Sequence, residues 1–263
     1  MTHRPGVKLF DLCDVRVAAE GRTILGPVSL DLTAGLTIGL MGPNGSGKST
    51  LLSVLGRQRY PDAGTVSFDG TPLARWGRRR FARRVAYLPQ QPPPTGAMTV
   101  RELVALGRYP WHGPLGRFTG TDRDRVADAL DQTAMTSFAD RYVASLSGGE
   151  QQRAWLAMLL AQDSTCLLLD EPTAALDVAY QVEVLDMIRE RVCRNGMTVV
   201  VAIHDINMAA RICDELIALR AGEVVARGRP GEVLCRDTLH ALYGVGMGIF
   251  AHPETQAPIA YVR

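Results

Sequence analysis

One glycine-rich stretch, Gly42-Pro43-Asn44-Gly45-Ser46-Gly47-Lys48-Ser49-Thr50, leaves this chain few folds to choose from. It fits G-x-x-x-x-G-K-[ST], a loop whose backbone N–H groups surround β- and γ-phosphates between an incoming strand and an outgoing helix. Both flanks are present. Residues 36–41 are an apolar run of strand length, and residues 49–55 carry a helical pattern closed by Gly56. Gly42, Gly45 and Gly47 allow positive φ and close approach to an anion. Lys48 supplies a mobile cation for β- and γ-phosphate oxygens, and the Ser49 hydroxyl suits Mg²⁺. The N-terminus of the helix adds its dipole to the anion site. The stretch therefore predicts a nucleotide held through its phosphates.

Composition narrows the rest. With 263 residues, 46% of them hydrophobic and 21% charged, the chain has the make-up of a soluble globule. A net charge of +2 gives no strong pull towards nucleic acid. Cys13, Cys166, Cys193, Cys213 and Cys235 are odd in number and widely spaced, as expected of reduced thiols in the cytosol. Residues 1–6 lack the apolar core of a signal peptide, and no apolar run approaches the ~20 residues of a membrane span. Service to a membrane would go through a partner, from the cytosolic side.

Along the chain, residues 7–34 alternate apolar and polar about Gly21-Arg22, which predicts antiparallel strands with one covered face. A turn at 61–64 precedes a short strand at 65–68. The basic run at 75–84 reads as a solvated helix face, with contact to phospholipid headgroups or nucleic acid as the alternative. Residues 85–88 form a strand leading to Gln90, and Pro92-Pro93-Pro94 marks a lobe boundary. Thr99 and Glu102 make a capping-box pattern for a helix with Val100, Leu103 and Val104 on one side. A loop with Tyr109, Trp111 and Phe118 follows, then a helix at about 122–134. Residues 166–169 and 198–203 are apolar runs suited to central parallel strands. Helices at 178–194 and 206–213, a hairpin at 216–227, a helix near 231–243 and an irregular tail complete the expectation. The predicted architecture is α/β: a P-loop NTPase core with a mainly parallel sheet, an N-terminal antiparallel β lobe and an inserted helical lobe. It forms a single domain over 1–263, with 1–91 and 143–263 as core and 92–142 as insertion.

Four apolar strands end in polar groups: Met41 in the loop, Leu88 in Gln90, Leu169 in Asp170-Glu171 and Ile203 in His204. Ligands of parallel α/β sheets sit beyond the carboxyl ends of the strands, so these groups share one edge. Asp170 suits a Mg²⁺ ligand, Glu171 a group that orients or deprotonates water, and His204 a γ-phosphate contact. Ser147-Gly148-Gly149-Glu150-Gln151 is an anion site of its own. Ser147 and Glu150 form an S-x-x-E box, and the glycines expose N–H groups where a helix through Trp155 and Leu159 begins.

Leu146-Ser147-Gly148-Gly149-Glu150-Gln151, lying between that loop and Leu167-Leu168-Leu169-Asp170-Glu171, resembles the ABC-transporter ATPase family. Ala175-Leu176-Asp177 matches its D-loop, Gln90 its Q-loop and His204 its switch histidine. The resemblance implies ATP and Mg²⁺ held by Lys48, Ser49, Asp170 and Gln90. It also implies a head-to-tail homodimer in which Ser147, Gly148, Gly149, Glu150, Gln151 and Asp177 complete the partner's site. Tyr87-Leu88-Pro89-Gln90-Gln91, the segment from Thr99 through Phe118, and His204-Asp205-Ile206-Asn207-Met208-Ala209-Ala210-Arg211 resemble ATPases of bacterial ferric hydroxamate siderophore importers. Wider relatives serve other iron chelates, haem and vitamin B12. This likeness implies a membrane permease as partner, a substrate-binding protein indirectly, and a peripheral place on the cytoplasmic face of the inner membrane. Nucleic acid is not an expected partner, since ABC ATPases that serve it usually carry coiled-coil arms or two cassettes. One departure stands out: Ala18-Ala19-Glu20 offers no aromatic where many family members stack adenine, which predicts weak base selectivity. Residues 107–118 are the expected permease contact, because their aromatics and arginines suit an interface.

Overall fold

The computed structural model describes residues 6–114, 116–173 and 177–263. Ala175 and Leu176 of the expected D-loop lie outside them. Strands β1 (Lys8–Ala19) and β2 (Arg22–Thr33) pair antiparallel, turning at Glu20 and Gly21, both at positive φ. Their alternation buries Leu9, Leu12, Val15 and Val17 of β1 with Leu25, Val28, Leu30 and Leu32 of β2. The pair closes tightly: a Cβ on Gly26 would lie 2.0 Å from the Val15 carbonyl oxygen, so only glycine fits. Strand β3 (Thr37–Met41) then enters the core and α1 (Lys48–Leu55) leaves the phosphate loop. The outer sheet is completed by β4 (Ala63–Phe68), antiparallel to β1, and β5 (Thr71–Pro72). Helix α1 supplies Leu51, Leu52 and Leu55 to the core shared with this sheet. Each such leucine contributes about 1.5–3 kcal/mol on burial.

Helix α2 (Arg78–Ala82) and strand β6 (Val85–Leu88) lead into the helical lobe: α3 (Val100–Leu106), α4 (Tyr109–His112), α5 (Gly120–Gln132) and α6 (Gly148–Ala161). Thr99 with Glu102, Thr119 with Asp122 and Ser147 with Glu150 close three capping boxes. Val100, Leu103 and Val104 are buried, as the pattern required. Helix α6 packs on α3, α5 and β6, and one buried cluster joins the lobe to the central sheet.

Two local expectations change here. Residues 107–118 are not a plain loop, since Pro110 opens the helical turn α4. The basic run is not simply solvated: Trp76 and Phe81 are buried within it, and Arg83 donates to the carbonyls of Pro110 (2.8 Å) and Trp111 (2.9 Å). At the base of the lobe, the buried Arg108 guanidinium donates to Asp122 at 2.9 Å and to the Ala161 carbonyl at 2.8 Å.

The remaining elements are β7 (Cys166–Asp170), α7 (Val178–Asn195), β8 (Thr198–Ala202), α8 (Ile206–Ile212), β9 (Glu215–Arg220) and β10 (Glu223–Gly228). The central sheet runs β10-β9-β3-β8-β7-β6, parallel except for edge strand β10. Strands β3, β7 and β8 are buried along their whole length, which is why they read as unbroken apolar runs.

The C-terminal part departs from expectation. The helix near 231–243 is two pieces, α9 (Pro230–Val233) and α10 (Arg236–Tyr243), and the tail is a hairpin, β11 (Met247–Ala251) with β12 (Pro258–Val262). Asn207 of α8 fixes that hairpin. Its amide donates to the Ala260 carbonyl at 3.2 Å and accepts the Ala260 N–H at 2.8 Å. Among the described residues no helix is long and apolar enough to cross a membrane.

Candidate nucleotide-binding site

The phosphate loop owes its course to Gly42, whose φ is 141°. A Cβ there would lie 2.0 Å from the Leu219 carbonyl oxygen, so the loop could not take this path with a side chain. Gly47, at φ 102°, is the N-cap of α1 and offers no side chain to its N–H groups, which leaves them to a ligand. The Ser46 hydroxyl is buried with no hydrogen-bond partner among the described residues. Lys48 donates to the carbonyls of Gly42 (2.8 Å) and Pro43 (3.1 Å). Burial pulls its pKa down, against the carboxylates of Glu171 and Asp170. Buried donors and an orphan hydroxyl gathered on one loop form a cradle for anionic oxygens.

Behind the loop, Ser49 Oγ donates to Asp170 Oδ1 at 3.0 Å. Asp170 is 2% exposed. Burial pushes its pKa up, with the Ser49 hydrogen bond opposing and Glu171 adding to the rise. Lys48 and His204 offset that rise only in part, so the buried carboxylate gains from a further cation. With the Ser49 hydroxyl and the Gln90 amide it forms a hard oxygen donor set, the kind Mg²⁺ takes when it shares its remaining positions with phosphates and water. The residues fit the ion.

At the mouth, three strand ends converge. Gln90 Nε2 donates to Glu171 Oε2 at 2.8 Å, and His204 Nε2 contacts Glu171 Oε1. Glu171 itself has φ 54°, and its N–H donates to the Ala202 carbonyl at 3.3 Å, so both ends of the residue are fixed. Residues 44–50, Gln90, Glu171, His204 and Ile24 line one cleft of about 370 Å³. Ile24 of β2 joins the cleft as well; the sequence marks it only as part of that strand's apolar alternation, with no sign of a place in the site. Another missed contact comes from α10. Burial pushes the Tyr243 hydroxyl up, against a hydrogen bond with the Gly42 backbone.

The glycine pair lies elsewhere. Glu150 accepts the Ser147 N–H at 2.7 Å and its hydroxyl at 2.9 Å, and Gln151 donates to the Leu146 carbonyl at 3.0 Å. Ser147 and Gly148 are exposed, and none of residues 147–151 lines the cleft. Asp177 is exposed as well, accepting the Tyr180 N–H at 3.0 Å. Gln152 links the two regions by donating to the Pro172 carbonyl at 2.9 Å, beside Glu171. One chain therefore carries a phosphate cradle and, apart from it, an exposed and capped glycine pair, not one closed pocket.

Trp111 is exposed at the surface and anchored along one edge. Its indole N–H donates to the Gln162 carbonyl at 2.7 Å, and its ring lies within 5.1 Å of the Arg83 guanidinium and 5.0 Å of the Arg108 guanidinium. Tyr109, Phe118 and Trp111, 47%, 37% and 36% exposed, all show surface to solvent, and of the three Trp111 is the one whose ring is held by these contacts.

A phosphate loop in a parallel sheet, with a carboxylate pair at a neighbouring strand end and a capped glycine pair on a helical lobe, defines a nucleotide-hydrolysing cassette. The family model for the ABC transporter matches residues 25–174, and the chain belongs to that family as its ATP-hydrolysing domain. It is 40% identical to the ferric enterobactin transport ATP-binding protein FepC of Escherichia coli, over 90% of this chain and 88% of that one. With the iron(3+)-hydroxamate import ATP-binding protein FhuC of Bacillus subtilis it shares 38% identity, over 90% and 88%. Among solved structures, the dimeric bacterial ABC transporter cassette MJ0796 superposes with a TM-score of 0.76 at 29% identity, covering 84% of this chain and 99% of that one.

Proposed function

We propose that this chain is the ATPase subunit of a bacterial importer that takes up Fe³⁺–hydroxamate siderophores through a membrane permease. The observation that carries the hydrolytic reading is Glu171, bracketed by Gln90 and His204 at the mouth of the phosphate cradle. Residues 42–50 bind the phosphates through backbone N–H groups, with Lys48 as the cationic partner of the β- and γ-oxygens. Ser49, Asp170 and Gln90 hold Mg²⁺, which neutralises phosphate charge when bound. Glu171 orients a water and takes its proton, and His204 contacts the γ-phosphate.

Ser147, Gly148, Gly149, Glu150, Gln151 and Asp177 serve a second copy. They are displayed away from their own cleft, so a head-to-tail homodimer closes two sites at once. The whole chain is one ABC ATPase domain with residues 92–142 as its helical insertion. It works on the cytoplasmic face of the membrane, coupled to a permease and through it to a substrate-binding protein. Tyr109 and Phe118 are the permease-facing rings.

The cargo reading rests on the named relatives, which transport ferric enterobactin and import iron(3+)-hydroxamate respectively. Both are Fe³⁺ chelates, and the segments around residues 87–118 and 204–211 favour the hydroxamate. Uptake of radiolabelled ferric hydroxamate and ferric enterobactin by cells lacking this chain tests it. Loss of hydroxamate uptake alone, restored by the wild-type chain, is expected. Loss of enterobactin uptake alone would reassign the cargo.

A further inference from the structure

The basic run at residues 75–84 has no part in the nucleotide cleft, yet the fold gives it company. Arg80, Arg83 and Arg84 line a cavity of about 660 Å³ together with Arg125 of α5 and Arg191 and Arg194 of α7. Among the described lining residues Asp163 is the one carboxylate. Sequence alone hid this cluster, because its second half comes from helices 40 or more positions downstream.

Some of these charges are matched. Arg125 pairs with Asp163 at 3.3 Å, Arg194 with Glu190 at 2.6 Å and Arg84 with Asp69 at 3.4 Å. Three form no direct ion pair with a carboxylate among the described residues, although Asp163, Asp128 and Glu190 act on Arg191 from further away. Arg80 lies over the Trp76 ring at 5.0 Å, Arg83 spends its donors on main-chain carbonyls, and Arg191 donates to the Gln132 side-chain oxygen. Arg191 is half-buried; burial pushes its pKa down and Arg125 adds to the fall, while the carboxylates of Asp163, Asp128 and Glu190 oppose it. Arg191 is the partly desolvated member, and Arg80, Arg125 and Arg194 are exposed around it; like charges gathered about one cavity repel, and an anion shared among them relieves that repulsion.

The chemistry of the anion follows from the donors. Guanidinium forks match the paired oxygens of phosphate, and several of them favour several phosphate oxygens over one carboxylate. The cavity has the size of a small-molecule site, whereas a nucleic-acid surface is an extended basic stripe. We propose that this cavity binds a compact anion with clustered phosphate oxygens, supplied as a soluble polyphosphate ester or as an anionic lipid headgroup. The inference does not depend on the cargo or on the nucleotide cleft.

The test uses the full chain and inorganic tripolyphosphate, which the phosphate loop also accepts. Calorimetric titration should find two sites per chain. The triple variant Arg80→Gln, Arg191→Gln, Arg194→Gln should weaken one of them by at least ~10-fold, and Lys48→Ala should weaken only the other. Circular dichroism checks folding. Should the triple variant unfold, the exposed pair Arg80→Gln, Arg194→Gln carries the same comparison. In a second arm, the protein is sedimented with phosphatidylglycerol-containing vesicles or with phosphatidylcholine alone. Arginine-dependent capture by the charged vesicles identifies a lipid headgroup as the source; tripolyphosphate binding without capture identifies a soluble phosphate. A folded arginine variant that keeps wild-type stoichiometry, affinity and vesicle capture would overturn the proposal.

Discussion

The Gln90 amide holds Glu171 Oε2 at 2.8 Å across 81 positions of sequence. Strands β6 and β7 are parallel neighbours in register from Val85 with Cys166 to Leu88 with Leu169, so both residues leave the sheet at the same edge. The link joins the segment that enters the helical lobe to the carboxylate beside the phosphate cradle. A displacement of Gln90 therefore acts directly on the group assigned to the attacking water.

Glu171→Gln tests that assignment. The amide keeps the side chain's size and can still bond with Gln90 and His204, so folding should be unaffected. Hydrolysis, measured as phosphate release, should fall by at least ~10²-fold, the lower range for a lost general base. ATP should then persist between two chains and shift sedimentation towards a dimer. Activity within a few-fold of wild type would move the role of base to another group.

A second test concerns Arg108 and Asp122, buried at 4% exposure each. Burial raises the Asp122 pKa, but the Thr119 N–H and the Arg108 guanidinium outweigh it and bring the value down to about 2. A carboxyl depressed in the folded state contributes fully above its unfolded pKa, about 3.9, and loses that contribution as pH falls through the folded value. Asp122→Asn should cost roughly 3–5 kcal/mol near neutral pH, because Arg108 is left buried without its counter-charge. The gap from wild type, read from urea unfolding, should narrow between about pH 4 and pH 2. A gap constant across that window would mean that folding leaves the Asp122 pKa unshifted.

Much of this was legible in the sequence, for a physical reason. Strands β3, β7 and β8 are buried on both faces, so each is an apolar run, and their polar ends had to meet at one edge. The capping boxes at Thr99 and Ser147 are local and could be read four residues at a time. Other features depend on distant partners. The hairpin of β11 and β12 shows Phe250, Tyr261 and Val262 to solvent and is anchored through Asn207, some 50 positions upstream, so no local pattern announces it. The anchoring of Trp111 was not legible, because its partners, Arg83, Arg108 and Gln162, come from three separate segments.

Base selectivity gives a third test. The cleft carries Ile24 but no aromatic ring among its described lining, so phosphates supply most of the affinity. GTP should compete with ATP to within about tenfold, or ~1.4 kcal/mol. A preference for ATP above a hundredfold would require a group that reads adenine, one contributed by the second copy being the first to examine.

The last test separates the two roles open to the residue 107–118 segment. Trp111 is bound by a hydrogen bond to Gln162 and faces two guanidinium groups, so its work is to fasten α4 to the C-terminus of α6 and to the end of α2. Each cation–π contact contributes about 0.5–1 kcal/mol at a partly exposed site, and the lost hydrogen bond adds about as much again. Trp111→Ala should therefore lower stability by roughly 2–3 kcal/mol while the isolated chain keeps its basal ATPase activity. Tyr109→Ala with Phe118→Ala removes rings that face outward, and stability should change by no more than about 0.5–1 kcal/mol. The informative comparison is co-purification with the permease. It should survive Trp111→Ala below the melting temperature and weaken in the Tyr109 and Phe118 double variant. The opposite order, with Trp111→Ala fully stable but unable to hold the permease, would return that indole to the interface.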